Sequence, residues 1–72
     1  GVYDIQLASF KNLRLAKKEI ATLRRKGFEA SYAQRGSWYQ VYVTGYRTVE
    51  DAQEAKKKLA KSYKDCYIRK AK

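Results

Sequence analysis

The chain has no histidine and no methionine, and it has a single cysteine, Cys66. The missing histidine removes the commonest general base and the commonest metal ligand. A lone cysteine makes no internal disulfide and, without partners, no metal site. Ser9 and Cys66 are left without an obvious activating partner for nucleophilic chemistry. Asp and Glu remain available, yet the inventory as a whole reads as a non-enzyme with no cofactor and no metal. Cys66 reads as a small core residue rather than a reactive thiol. No apolar run approaches the roughly 20 residues that a membrane span needs, and no stretch has the signal-peptide pattern. Membrane insertion is therefore not expected of this domain. Gly1 reads as the edge of a fragment excised from a larger protein, which would place any targeting segment outside it.

What is present is a small, basic, well-patterned chain. Its 72 residues imply one domain, 1–72, and a domain of this size buries only about 60% of its unfolded surface. A hydrophobic content of 44% is ordinary for a folded domain and argues against disorder. Seventeen Lys and Arg stand against seven Asp and Glu, a net charge of +10. Such an excess favours anionic partners, namely nucleic acid, acidic lipid or acidic polysaccharide, unless the charge is simply a dispersed solvated surface.

The chain repeats itself. A shift of 36 lays residues 39–68 over residues 3–32. Tyr3 meets Tyr39, Ile5 meets Val41, Leu7 meets Val43 and Phe10 meets Tyr46. Asn12 meets Thr48, Ala16 meets Ala52, Leu23 meets Leu59, Ala30 meets Cys66 and Tyr32 meets Ile68. The matches are mostly apolar, as expected of two halves that share a packing plan.

Each half reads as strand, helix, strand. Asn12 is placed to cap the first helix. Leu13, Ala16, Ile20 and Leu23 follow at helical spacing, and Gly27 is a suitable stop. Thr48 and Asp51 resemble a capping box ahead of Val49, Ala52, Ala55 and Leu59. The alternation predicts strands over residues 3–10, 28–34, 38–44 and 65–70, with Cys66 and Ile68 pointing inward on the last. The fold class is therefore α+β, in the order β-α-β-β-α-β. With right-handed crossovers the halves interlock as a ferredoxin-like, RNP-like fold. Four antiparallel strands lie in one sheet, the first and third at its centre, with both helices on one face.

The other face is then bare. Strict alternation puts Gln6 and Ala8 on it from the first strand, and Ser31 from the second. The third strand gives Trp38, Gln40, Tyr42 and Thr44, and the fourth gives Tyr67 and Arg69. A solvated sheet has no need of a Trp and two Tyr drawn from different strands. Aromatics mixed with amides mark a binding surface, although cross-strand pairing of a small sheet uses the same residues. Rings stack on nucleobases or on the C–H face of sugars. Amides donate and accept together, which suits hydroxyl and acetamido groups. On composition, glycan and RNA both remain open.

The run Ile5-Gln6-Leu7-Ala8-Ser9-Phe10, with Ala16, Leu23, Gly27 and Phe28 behind it, resembles the first half of a SPOR domain, the sporulation-related repeat. Trp38-Tyr39-Gln40-Val41-Tyr42-Val43-Thr44-Gly45-Tyr46, with Ala52 and Leu59, is similar to its second half. This resemblance implies a module of the bacterial cell envelope, in the periplasm or cell wall; a monomer is expected. It implies binding to peptidoglycan glycan strands stripped of their stem peptides, which are enriched at the division septum. Carried over by position, it makes Gln6, Ser9, Trp38 and Tyr67 the glycan contacts. Gln40 stands where the family often has arginine, Ala8 where it usually has glycine, and Thr44-Gly45 where it commonly has Gly-Pro. Tyr42 and Arg69 are the neighbours placed to compensate. The muramic-acid carboxylates freed by stem removal would meet basic residues.

The alternative is an RNA-recognition domain, which shares the topology and stacks bases on sheet aromatics. Its third-strand signature is a Lys/Arg-Gly-Phe-Gly/Ala-Phe-Val-x-Phe run, which Ser37-Trp38-Tyr39-Gln40-Val41-Tyr42-Val43-Thr44 does not supply. Its first strand would carry a stacking aromatic where Gln6 stands. No specific nucleic acid is expected. A partner added at a sheet edge is a third class, which nothing in the sequence favours.

Overall fold

In the computed structural model, which describes residues 2–70, the chain runs β1 (Tyr3–Phe10), α1 (Leu13–Arg25), β2 (Glu29–Arg35), β3 (Trp38–Tyr46), α2 (Val49–Leu59) and β4 (Tyr67–Lys70). Gly1, on which the fragment reading rests, lies outside the described residues. The strands form one antiparallel sheet in the order β2-β3-β1-β4. The expected α+β architecture is present, with β1 and β3 central. Helix α1 lies mainly over β2 and β3, and α2 over β1 and β4.

Local chemistry fixes both helices. The Asn12 side chain accepts a hydrogen bond from the Arg14 N–H at 2.8 Å, and Thr48 accepts one from the Asp51 N–H at 3.1 Å. Each bond satisfies an N–H that the first helical turn leaves open. At the other end of α1, the Gly27 N–H donates to the Arg24 carbonyl and the Phe28 N–H to the Leu23 carbonyl. This paired arrangement is the Schellman stop. It requires the left-handed backbone that Gly27 adopts at φ 94°. Because Phe28 spends its N–H on α1, β2 opens at Glu29, one residue later than the alternation implies.

The core lies between the sheet and the helices. Ile5, Leu7, Ala30, Val41 and Val43 from the sheet meet Ala16, Ile20 and Leu23 of α1 and Ala55 and Leu59 of α2, with Cys66 buried at the edge. Burying an aliphatic side chain of this size contributes roughly 1.5–3 kcal/mol. Both sheet edges are guarded. Arg24 donates from Nε (3.2 Å) and Nη2 (3.1 Å) to the Ala30 carbonyl of edge strand β2. Edge strand β4 has only four residues, and two of them are Arg69 and Lys70. Short, charged edges discourage pairing with other chains.

The β1–β3 pair departs from strict alternation twice. Between Tyr3 and Ile5 the extra residue is on β3, at Thr44–Gly45, where Gly45 has φ 106°. This bulge carries β3 on to Tyr46, beyond the expected end at 44. Between Gln6 and Ala8 the extra residue is on β1, so Leu7 and Ala8 together face Val41. The second bulge corrects the sequence reading. Ala8 belongs to the helix side of the sheet and not to the bare face, and Ser9 comes round to the bare face opposite Gln40. β4 begins at Tyr67 rather than 65, because the Cys66 N–H donates to the Tyr63 carbonyl in the preceding turn. Cys66 and half-buried Ile68 point inward as expected.

Candidate functional site

Pairing sets the bare face out in rows. Tyr67, Gln6, Tyr42 and Ser31 stand side by side across all four strands. Ser9, Gln40 and Ala33 form the next row, with Trp38 and Arg35 beyond it. On the opposite side of the Gln6 row, Asp4 faces Arg69.

β4 pairs only with Tyr3 to Gln6 of β1. The rest of β1 has no strand on that side, and the connection between α2 and β4 stands beside it instead. The result is an open groove of about 440 Å³. Gln6, Ser9, Gln40 and Tyr67 line it from the sheet, together with Leu7 and Ala8 at the bulge. Ser62, Tyr63, Lys64 and Asp65 line it from the connection.

Of the seven candidate residues, the groove gathers four. Gln6 is only 5% exposed and lines the groove. Tyr67 is 53% exposed and presents an open ring. Ser9 is exposed and Gln40 half-buried. The other three lie outside the groove. Tyr42 is half-buried in the row between Gln6 and Ser31. Trp38 is exposed, and the Lys11 ammonium sits 5.1 Å from its ring centroid, so a cation already occupies the ring. Arg69 places Nη2 3.7 Å from Asp4 Oδ2. That ion pair is too long to be a good hydrogen bond. Asp4 is itself buried, and its Oδ1 has no hydrogen-bond partner among the described residues. The Arg69 charge is thus turned toward Asp4.

The sequence reading missed the four residues of the α2–β4 connection. A trace of them was available. The shift of 36 puts Tyr63 where the first half has the helix-stop glycine, Gly27, so the repeat breaks there. The connection is tied down by its backbone. The Ser62 and Tyr63 N–H groups both donate to the Leu59 carbonyl, at 3.0 and 2.8 Å. The Tyr63 hydroxyl donates to Glu19 of α1. Burial, and then the Glu19 carboxylate, hold the Tyr63 phenol above its ordinary range. The groove therefore combines the exposed Tyr67 ring, two amides and two serine hydroxyls with one ammonium, Lys64, and one carboxylate, Asp65. That set has the chemistry to suit a polar ligand with a flat apolar face.

Known proteins agree with this frame. The family model of the SPOR domain matches residues 1–70. An uncharacterized protein of Aquifex aeolicus (strain VF5) is 35% identical over 69 residues, which are 94% of this chain and 28% of that protein. The chain thus spans little more than a quarter of that relative. Among solved structures, the peptidoglycan binding domain of the B. subtilis cell wall lytic enzyme CwlC superposes with a TM-score of 0.78 at 20% identity. The superposition covers all of this chain and 91% of that one, and it shows a shared fold. Since the family model spans the whole sheet and both helices, the chain belongs to the SPOR domain family.

Proposed function

We propose that this chain is a non-catalytic module that binds peptidoglycan, and that its ligand is the glycan strand stripped of stem peptides. The observation that carries this reading is the groove. In a SPOR domain, Gln6, Ser9, Gln40 and Tyr67 come together from three strands to line one open groove. Tyr67 packs against a sugar ring. Gln6 and Gln40 exchange hydrogen bonds with hydroxyl and acetamido groups, and Ser9 adds a hydroxyl. Trp38 and Tyr42 extend the same face, and Arg69, held by Asp4, borders it. The solved CwlC domain is described as peptidoglycan binding, which supports the same ligand class here. The module acts as a monomer within a longer envelope protein, in the periplasm or cell wall, and concentrates it at the septum where stripped strands accumulate.

The test is retention at physiological salt on intact sacculi, on amidase-treated sacculi and on single-stranded RNA. Retention mainly on the amidase-treated wall is expected, falling as salt is added because part of the attraction is between charges. Gln6→Ala should weaken retention about tenfold, the effect of losing roughly 1.4 kcal/mol of polar contact. A thermal melt of the variant separates lost binding from lost folding. Retention on RNA alone would reverse the assignment.

A further inference from the structure

The groove is lined by one cation, and it is not Arg69. Stem removal hydrolyses an amide at the muramic lactyl group and leaves a carboxylate in its place. Stripped and substituted strands therefore differ at that atom by one negative charge. The sheet side of the groove offers only neutral groups, Gln6, Ser9, Gln40 and Tyr67, which can donate hydrogen bonds to a carboxylate but carry no opposite charge. Among the lining residues only Lys64, on the side of the connection, carries a positive charge.

We infer that Lys64 is the specificity-determining residue, and that its ammonium binds the free lactyl carboxylate of the stripped glycan. This rests on the glycan reading above. Three observations single it out. Lys64 is exposed and lines the groove. It makes no ion pair among the described residues, whereas Arg69 is engaged by Asp4. Its position is held from both sides, by Tyr63 bonded to Glu19 and by buried Cys66, whose N–H donates to the Tyr63 carbonyl. A lysine on a tethered turn loses less freedom on binding than one on a loose loop. Asp65 beside it is an acceptor for the acetamido N–H and tempers the attraction of the groove for anions in general.

The test uses soluble glycan chains from amidase-treated sacculi, the same chains with their carboxyl groups converted to methylamides, and the wild-type domain, Lys64→Gln, Lys64→Arg and Lys57→Gln. Lys57 lies exposed on α2 and does not line the groove, so it controls for net charge. The wild type should prefer the carboxylate chain over the methylamide by about fivefold, the scale of a partly exposed charge pair. Lys64→Gln should bind both chains equally, Lys64→Arg should restore the preference, and Lys57→Gln should keep it. A preference that survives in Lys64→Gln would overturn the inference and leave the glycan reading standing. A wild type that binds neither chain would overturn the glycan reading, and the role of Lys64 with it. Melting curves of all four proteins should coincide, because neither lysine is buried.

Discussion

The two halves of the chain begin alike and end differently. Each has a strand, then a capped helix whose apolar stripe packs on the sheet. The first half stops α1 on Gly27 and passes almost at once into a seven-residue strand. The second half has Tyr63 at the matching place, turns without glycine, and delays its strand to four residues starting at Tyr67. The delay leaves the end of β1 without a partner strand, and the groove opens there. Shared pattern makes the frame, and the departure from it makes the groove.

The largest test of this contrast is in the core. Leu23 and Leu59 occupy matching positions, 1% and 4% exposed. Leu23→Ala should cost about 3–5 kcal/mol and Leu59→Ala about 2–3 kcal/mol, read from urea unfolding. The ordering follows from their surroundings. Leu23 is among the largest fully buried side chains, whereas Leu59 keeps slight exposure where the chain leaves α2. An equal or reversed cost would show that the second half is as firmly closed as the first.

A smaller effect sharpens the same comparison at the helix stops. Gly27→Ala meets no atom within 4 Å, so the whole penalty comes from the left-handed backbone, about 1 kcal/mol. At Tyr63 no such penalty exists, because among the described residues only glycines have positive φ. Tyr63→Ala should therefore lose side-chain contacts without changing the backbone. A Gly27→Ala variant as stable as the wild type would mean that the stop is held by its hydrogen bonds rather than by glycine.

Most of the frame was legible in the sequence because it rests on periodic burial. Ile5, Val41, Ala16, Ile20 and Leu23 alternate or recur as the core requires, and Asn12, Thr48 and Gly27 announce the helix ends. The site was legible in part. Gln6 and Tyr67 follow from alternation, but Ser9 reaches the bare face only through the bulge at Leu7. A bulge adds a residue without changing composition, so strict period-2 counting places Ala8 on the wrong side and gives no geometric reason for Ser9. Lys64 was hidden for another reason. One lysine among many has no periodic signal, and only the turn that starts β4 late brings it to the groove. The Asp4–Arg69 pair depends on register across β1 and β4, which the sequence reading did not fix.

The smallest expected effect tests the tether of the second half. Tyr63→Phe keeps the ring and removes the hydrogen bond to Glu19, at a cost of about 1 kcal/mol at neutral pH. The bond also gives a pH signature. Burial, then Glu19, raise the Tyr63 phenol above its ordinary value of 10.0, so the native state keeps the proton after the unfolded chain has lost it. Its contribution is fully present below about pH 10 and is lost as the pH climbs toward the higher native value. Wild-type stability should then fall above about pH 10, and Tyr63→Phe should fall less steeply. Some decline should persist in the variant, since burial, then Glu29, raise Tyr46 in the same direction. Urea unfolding at stepped alkaline pH measures both slopes. Parallel slopes would show that the folded protein does not hold the Tyr63 phenol above its ordinary range, and would leave the groove wall held by the backbone bonds at Leu59 and Tyr63.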